Sequence, residues 1–398
     1  MGDLFQLYEQ TATIEIYISI MSSLQPAELV DSDGDVERKD QGVLHVLAWP
    51  AFKSRKLNPY QSLLYDQMRA LGAEVTEFSP GCLLRRRYAV WHLHWPDHML
   101  KTTSSLSALA RTMALFTLIF FARLRGTRIV WTIHNLKSHE GLHPRLERWF
   151  WRYFTRRLDG AISLSDATLQ AACELHPAVR RVPAFVIPHG HYRGEYPDSV
   201  TRQEAREQLG IPQESLVCLH LGQIRAYKNV PHLIRTFCQG SDSRTVLLIA
   251  GKTDPASLVE EMKLAANGDP RVRLMPQFIP DSDVQVYLRA ADLAALPYKN
   301  ILNSGSALLA LSFDCPVLVP AQGAMPELQQ NVGLDWVKTY SGDLTVEDLQ
   351  DALQGAKGTL RAQRAPLDKL NWQNLSSRTI DAYHFFCSQN SKTSCPPR

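Results

Sequence analysis

LVCLHLGQIRAYKNVPHLIRTFCQ, residues 216–239, holds a strand, a loop and a helix in one run. LVCLHLG (216–222) is apolar and β-rich, and VPHLIRTFCQ (230–239) reads as a helix. Between them, Gly222 lets the backbone turn tightly beside a ligand. Arg225 and Lys228 then set two cations just beyond the strand end. A departing diphosphate needs such partners, because its charge must be neutralised as it leaves. Taken alone, the loop is equally a surface turn with two solvated cations.

The same alternation extends in both directions. Downstream, RTVLLIAG (244–251), VRLMPQF (272–278), LAALPY (293–298) and PVLVP (316–320) read as strands. LVEEMKLAANG (258–268), SDVQVYLRAAD (282–292) and SALLALSFD (306–314) read as the helices between them. Upstream, strands are expected at 43–49, 73–78, 88–95, 127–135, 160–165 and 185–190, with helices at 60–72, 107–126 and 147–159. Alternation of this kind predicts parallel sheets covered by helices on both faces. PDSVTRQEAREQLGIP (197–212) is polar with Pro near both ends and reads as the domain boundary. The expectation is an α/β chain of two Rossmann-like domains facing across a cleft. Residues 42–196 and 197–365 form the domains, and 366–398 a C-terminal helix returning towards the first domain, with a tail. Residues 1–41, which include DSDGDVERKD, read as a mobile extension.

Composition narrows the function classes. The chain has 398 residues, 45% hydrophobic and 21% charged, enough apolar material for two cores. Its 43 basic and 40 acidic residues nearly cancel, which argues against a dedicated nucleic-acid binder. Seven cysteines are scattered without metal-ligand spacing, consistent with a reducing, cytosolic compartment. No secretory signal is evident. The longest apolar run, MALFTLIFFA (113–122), is too short to span a bilayer and reads as a buried helix. Arg85, Arg86 and Arg87, beside Leu83 and Leu84, instead suit the surface of an anionic membrane.

Open α/β sheets bind ligands beyond the carboxyl ends of their strands. In LPYKNILNSGSALLAL (296–311), Tyr298 follows a strand, and Asn303, Ser304, Gly305 and Ser306 open a helix. A helix N-terminus with small residues presents N–H groups to an anion, although Ser and Asn are also ordinary caps. This loop and the Arg225/Lys228 loop follow strands of one expected sheet, so both can hold one diphosphate. In the first half, HLHWPDHML (92–100) and WTIHNLKSHE (131–140) gather His92, His94, Asp97, His98, His134, His139 and Glu140 near strand ends. Imidazole or carboxylate suits a general base acting on an acceptor hydroxyl. No metal is expected: His94 and His98 are four apart, but Pro96 opposes the helix that would pair them. VIPHGHYRGEY (186–196) brings His189 and His191 to the end of the first half, where they could contact a donor from that side.

Together HLHWPD, the HN of TIHNLKSHE, HGHYR, GQIRAYKN and LPYKNILNSGSALLALSFDCPVLVP resemble the bacterial glycolipid β-1,4-mannosyltransferases of xanthan-type exopolysaccharide synthesis. NPY (58–60) fits as well, and the resemblance runs in order from about residue 43 to 340. It implies a GT-B fold and GDP-mannose as the nucleotide-sugar donor. It also implies a polyprenyl-diphosphate-linked oligosaccharide as acceptor, inversion at the anomeric carbon, and a cytoplasmic enzyme held peripherally at the inner face of the plasma membrane. By match, Arg225 and Lys228 would bind the donor diphosphate and Asn303, Ser304 and Gly305 would line its phosphates. His94, His134 and HGHYR would line the cleft.

Many retaining GT-B enzymes carry two glutamates eight positions apart where this chain has 301–311, and no acid occurs there. That departure supports an inverting mechanism with a base in the first domain. Glu140 and Asp97 are the carboxylate candidates, His94 and His134 the imidazole ones. Gly222, Arg225, Lys228, Tyr298, Asn303, Ser304, Gly305, Ser306, His189 and His191 are the expected donor contacts, with no cofactor. A retaining or UDP-sugar-dependent transferase of the same fold is the nearer alternative. A non-catalytic binder of sugar nucleotides or glycans is the farther one.

Overall fold

A computed structural model describes residues 43–389 apart from 57, 138–140, 241 and 359–361. The chain divides into two compact units, one of residues up to Pro188 together with Trp372 onward, the other His189–Asn371. In the first, β1 (His45–Trp49), β2 (Glu74–Glu77), β3 (Val90–Leu93), β4 (Arg128–Ile133), β5 (Gly160–Ser163) and β6 (Ala184–Val186) form a parallel sheet ordered β2-β1-β3-β4-β5-β6. In the second, β7 (Leu216–Leu221), β8 (Thr245–Ala250), β9 (Val272–Met275), β10 (Leu293–Ala295), β11 (Val317–Pro320) and β12 (Val337–Tyr340) form a parallel sheet ordered β12-β11-β10-β7-β8-β9. Renumbered from its own first strand, that is the 3-2-1-4-5-6 order of the dinucleotide-binding fold. Strand order reverses between β1 and β3 in one sheet and between β7 and β10 in the other. These are the switch points where such sheets leave room for ligands.

Side-chain parity explains how the first sheet is covered. Ile129, Trp131 and Ile133 of β4 join a core with Phe116, Ile119, Phe150 and Phe154. Val130, between them, joins the opposite core with Tyr60, Tyr65, Tyr383 and Phe386. Successive strand residues point to opposite faces, so Thr132 shares the face of Val130. His92 likewise shares the face of Val90, which also lies in the second core. The helices Tyr60–Ala70 and Trp372–Ser388 pack together over this face. The C-terminal helix is therefore part of the first unit's core.

The apolar run 113–122 lies in a longer helix, Ser105–Leu124. Leu115, Phe116, Leu118 and Ile119 are buried as expected, but Leu106, Leu109, Met113, Phe120, Phe121 and Leu124 are exposed. At 20 residues and with this composition the helix is long and apolar enough to span a bilayer, yet its inner face is committed to the sheet. A run of consecutive apolar residues does not reveal which of them face outward.

The expected linker 197–212 contains a helix, Arg202–Gln208, closed by a capping box between Thr201 and Glu204. Its Arg206 is wholly buried and reaches Asp292 at 2.9 Å and the Ser215 carbonyl at 2.8 Å. The segment is integral to the second unit, and the chain changes unit at Pro188. The expected extension 1–41 and the end of the tail lie outside the described residues.

A Cβ on Gly160 would fall 2.5 Å from the Phe386 ring. Gly160→Ala is expected to push the C-terminal helix off β5 and to destabilise the protein by about 1–3 kcal/mol, as read from urea unfolding.

Candidate active site

The second unit's site grows from its switch point. After β7, Gly222 takes φ +126°, a conformation side chains disfavour. A Cβ there would meet Ser306 Oγ at 3.3 Å and Lys228 Nζ at 3.5 Å. The lysine ammonium, the serine hydroxyl and the Gly222 backbone thus share one small space. Gly251 after β8 allows this loop to close, since a Cβ on it would lie 1.9 Å from the Gly222 carbonyl oxygen.

Lys228 is buried, with 8% of its surface exposed. Its Nζ lies 5.2 Å from the centroid of Tyr298, a cation–π contact that places Tyr298 as one wall of the lysine's pocket. Among the described residues no carboxylate forms an ion pair with Lys228, whereas Arg225, more exposed, has Asp254 at 3.9 Å. An ammonium with no carboxylate beside it is a ready partner for an anion's oxygens.

The helix Gly305–Ser312 begins beside it. Ser304 caps the helix by accepting from the Ala307 N–H at 3.1 Å. Among the described residues no protein acceptor takes the N–H groups of Gly305 and Ser306. Both polar atoms of the Asn303 side chain are buried without a protein partner. The helix N–H groups and dipole favour an anion, as Lys228 does.

Two imidazoles flank this region. The His220 ring lies with its Nδ1 3.0 Å from the Ala295 carbonyl, and burial, aided by Lys228, pushes its pKa down to about 3. Neutral His220 must donate from Nδ1, leaving buried Nε2 as an acceptor with no protein donor. His189 lies with Nδ1 2.7 Å from the Gly190 carbonyl, and burial pushes its pKa down to about 4. Its Nε2 therefore accepts from Tyr192 Oη at 3.3 Å. A Cβ on Gly305 would lie 3.2 Å from that Tyr192 oxygen and 4.0 Å from His189 Nε2. His189 thus stands at the second unit's own helix N-terminus, not on the first unit's side as expected. His191 bonds the backbone N–H of Arg193, and its pKa is lowered by burial first and then by Arg193. His189 and His191 are divided because the backbone is anchored between them and the helix end: Tyr192 N–H donates to Ser312 Oγ at 2.8 Å.

In the first unit, the ends of β3 and β4 bring His92, His94 and His134 together as expected. His94 Nδ1 lies 2.9 Å from His134 Nε2. His94 Nε2 lies 2.6 Å from Tyr65 Oη, which is 2.8 Å from His92 Nδ1. Burial pushes His92 down to about 3 and holds His94 well below the usual imidazole value, with neighbouring imidazoles adding to it. Both rings are neutral at physiological pH. Their nitrogens face hydroxyls and each other. Pro96 opens a short 3-10 turn, Pro96–Leu100, because proline is tolerated at a first helical position. That turn buries Asp97. Glu140 and His139 lie outside the described residues. Tyr192 was expected beside His189 and His191, whereas Tyr65, His220 and Tyr383 were not singled out from the sequence. Only His220, two residues before Gly222 at a strand end, carried a local signal.

Two parallel α/β units of this kind, the second in the dinucleotide-binding strand order, form the GT-B architecture of glycosyltransferases. Residues 201–359 match the family model described as "Glycosyl transferases group 1". Over 326 residues the chain is 30% identical to the GDP-mannose:glycolipid 4-beta-D-mannosyltransferase of Xanthomonas campestris pv. campestris, covering 82% of this chain and 88% of that protein. It is 27% identical over 289 residues to a D-inositol 3-phosphate glycosyltransferase of Actinosynnema mirum, covering 65% and 67%. Among solved structures, the Anabaena protein HepE in complex with UDP-glucose superposes with a TM-score of 0.56 at 15% identity, covering 87% and 98% of the two chains. That likeness concerns the fold alone. The chain belongs to the family of the Xanthomonas enzyme, and it is a glycosyltransferase.

Lys228→Met removes the ammonium beside Gly222 and Ser306 Oγ while keeping a chain that can pack on Tyr298. The expected outcome is an unchanged or slightly raised melting temperature, with loss of pyrophosphate and nucleoside-diphosphate binding by calorimetry. A lysine serving only the fold would show the reverse.

Proposed function

We propose that this enzyme transfers a mannosyl group from GDP-mannose to a polyprenyl-diphosphate-linked oligosaccharide, with inversion, in exopolysaccharide synthesis. The observation that carries the donor half is Lys228, buried without a carboxylate beside Ser306 Oγ and the Gly305 helix end. Those groups suit a diphosphate that gains charge as it departs. Arg225, exposed at the rim, adds a second cation, so the reading needs no metal. The identity of the sugar and base is supported by the name of the Xanthomonas relative.

The acceptor half belongs to the first unit. A neutral imidazole at the β3 and β4 ends takes the proton of the acceptor hydroxyl. The hydroxyl oxygen bonds to the anomeric carbon on the face opposite the breaking bond to the diphosphate. The absence of acids in 301–311 and the β linkage in the relative's name support this single displacement.

The membrane-linked acceptor has a matching surface. The outer face of Ser105–Leu124 exposes Leu106, Phe120 and Leu124. The arginine just past its end, Arg125, donates to the carbonyls of Leu84 and Arg86, at 2.5 and 3.3 Å. Exposed Arg85, Arg86 and Arg87 therefore stand next to the apolar strip, the pairing that favours an anionic bilayer surface. In this reading the enzyme sits peripherally on the inner, cytoplasmic leaflet.

A panel of nucleotide sugars should raise the melting temperature most for GDP-mannose, and product NMR should show the β anomer. Arg225→Ala should lower transfer by about 100-fold with unchanged unfolding; normal turnover would refute the diphosphate assignment. Flotation with phosphatidylglycerol vesicles should capture the wild type, and a Leu106→Ser, Phe120→Ser, Leu124→Ser variant should remain in the dense fraction.

A further inference from the structure

We propose that the loop after β1 is a diphosphate-binding site of the first unit, in which Lys53, Lys56 and the Gln61 carboxamide hold the diphosphate of the lipid-linked acceptor. The inference rests on the transferase reading for the acceptor's chemistry and adds to it where the charged end of that acceptor binds.

The loop leaves the carboxyl end of β1, at the switch point between β1 and β3 where such sheets take ligands. It is tied down along its length. Glu77, at the end of β2, accepts from the backbone N–H groups of Phe52 and Lys53 at 2.7 and 3.0 Å. The Ala51 carbonyl accepts from Ser62 Oγ at 3.3 Å. Arg55 pairs with Asp66 at 2.9 Å, and Asn58 Oδ1 accepts from the Tyr60 N–H at 3.1 Å. Both carboxylates beside the loop are thus engaged, Glu77 by N–H groups and Asp66 by a guanidinium. Lys53 and Lys56 are exposed, and among the described residues neither ammonium forms an ion pair or a hydrogen bond. A loop fixed in this way presents its two cations at little further cost in order when an anion arrives.

An independent observation lies under the loop. Gln61 is wholly buried, and its Oε1 accepts from Ser54 Oγ at 3.2 Å, which turns the carboxamide towards the loop. Its Nε2 has no protein acceptor, although buried polar groups are ordinarily paired. Gln61 also stands in the first turn of the helix Tyr60–Ala70, whose preceding residue, Pro59, gives no side-chain cap. Among the described residues no protein acceptor takes the backbone N–H groups of Gln61 and Ser62. The amide requires an acceptor, and the helix end and the two lysines favour one that is negatively charged.

Two ammoniums together with amide and backbone donors suit a group with many oxygens and more than one negative charge. In the transferase reading the donor's diphosphate belongs to Lys228 in the second unit, so the acceptor's diphosphate is the one assigned here. Tyr60 meets His94 edge-on at 5.9 Å and His134 at 5.2 Å. The chain from Lys56 to Tyr60 reaches at most about 14 Å, so the loop stands within a short glycan's length of those imidazoles. A diphosphate held at Lys56 therefore leaves the attached sugars to extend towards the β3 and β4 ends.

The test is calorimetric titration of the full chain with farnesyl diphosphate while GDP saturates the second unit, with farnesol as the uncharged control. The wild type should bind farnesyl diphosphate under these conditions. The double variant Lys53→Gln, Lys56→Gln, whose exposed positions leave the melting temperature unchanged, should bind it at least about 10-fold more weakly and bind farnesol as the wild type does. Gln61→Met should weaken the diphosphate in the same direction. Equal affinity in the wild type and the double variant would overturn the inference. So would loss of wild-type binding on adding GDP, since the diphosphate would then be using the donor's site. If the double variant lost flotation with phosphatidylglycerol vesicles yet kept farnesyl diphosphate, the lysines would belong to bilayer headgroups and the inference would fail. A wild type that binds no nucleotide would count against the donor reading instead, and the comparison of farnesyl diphosphate between wild type and double variant would still decide this site.

Discussion

A lysine ammonium enclosed against a tyrosine ring, with no carboxylate to balance it, is the constraint on which the second unit turns. Lys228 could be neutralised cheaply by one acidic neighbour. The surroundings instead supply a serine hydroxyl, an orphaned asparagine amide and two free helix N–H groups. Every one of these can meet an anion's oxygens, and none but the lysine brings net charge. The approach that makes this possible depends on Gly222 and Gly251, whose positive φ values let two loops come within van der Waals reach.

The first unit solves a different problem, the burial of polar rings on a sheet. Strand parity sends His92 and Thr132 to the face covered by Tyr60–Ala70 and Trp372–Ser388, while tryptophans and isoleucines take the other face. Polar atoms so buried must find partners. They find them in Tyr65 and Tyr383, one from each covering helix. The C-terminal helix thereby becomes part of the polar network, and Trp372 braces Tyr60 at 5.4 Å.

Legibility differed sharply between the two units. Gly222, Lys228 and 303–306 could be singled out because the residues that meet beside Gly222 come from the few positions after each of two strands. The helix Arg202–Gln208 was not read from the sequence, although Thr201 and Glu204 have capping-box spacing, because its polarity and the flanking prolines suggested a linker. Its polar character has another cause: Arg206 is spent inside the fold, holding Asp292 and a loop's carbonyls. The split between His189 and His191 was not legible, because neighbours in sequence were separated by an anchor 120 residues away at Ser312.

From the chain alone came the alternation that makes two parallel sheets, the glycines that tighten the loops, and the chemistry waiting at the strand ends. Those features depend on residues within a dozen positions of one another. Tertiary structure alone decided which lysine packs against Tyr298, which apolar residues of Ser105–Leu124 faced outward, and that Tyr383 would bond His92 across 291 residues. Burial and partnering are properties of what packs against a residue, and those neighbours are brought in by the fold from remote parts of the sequence.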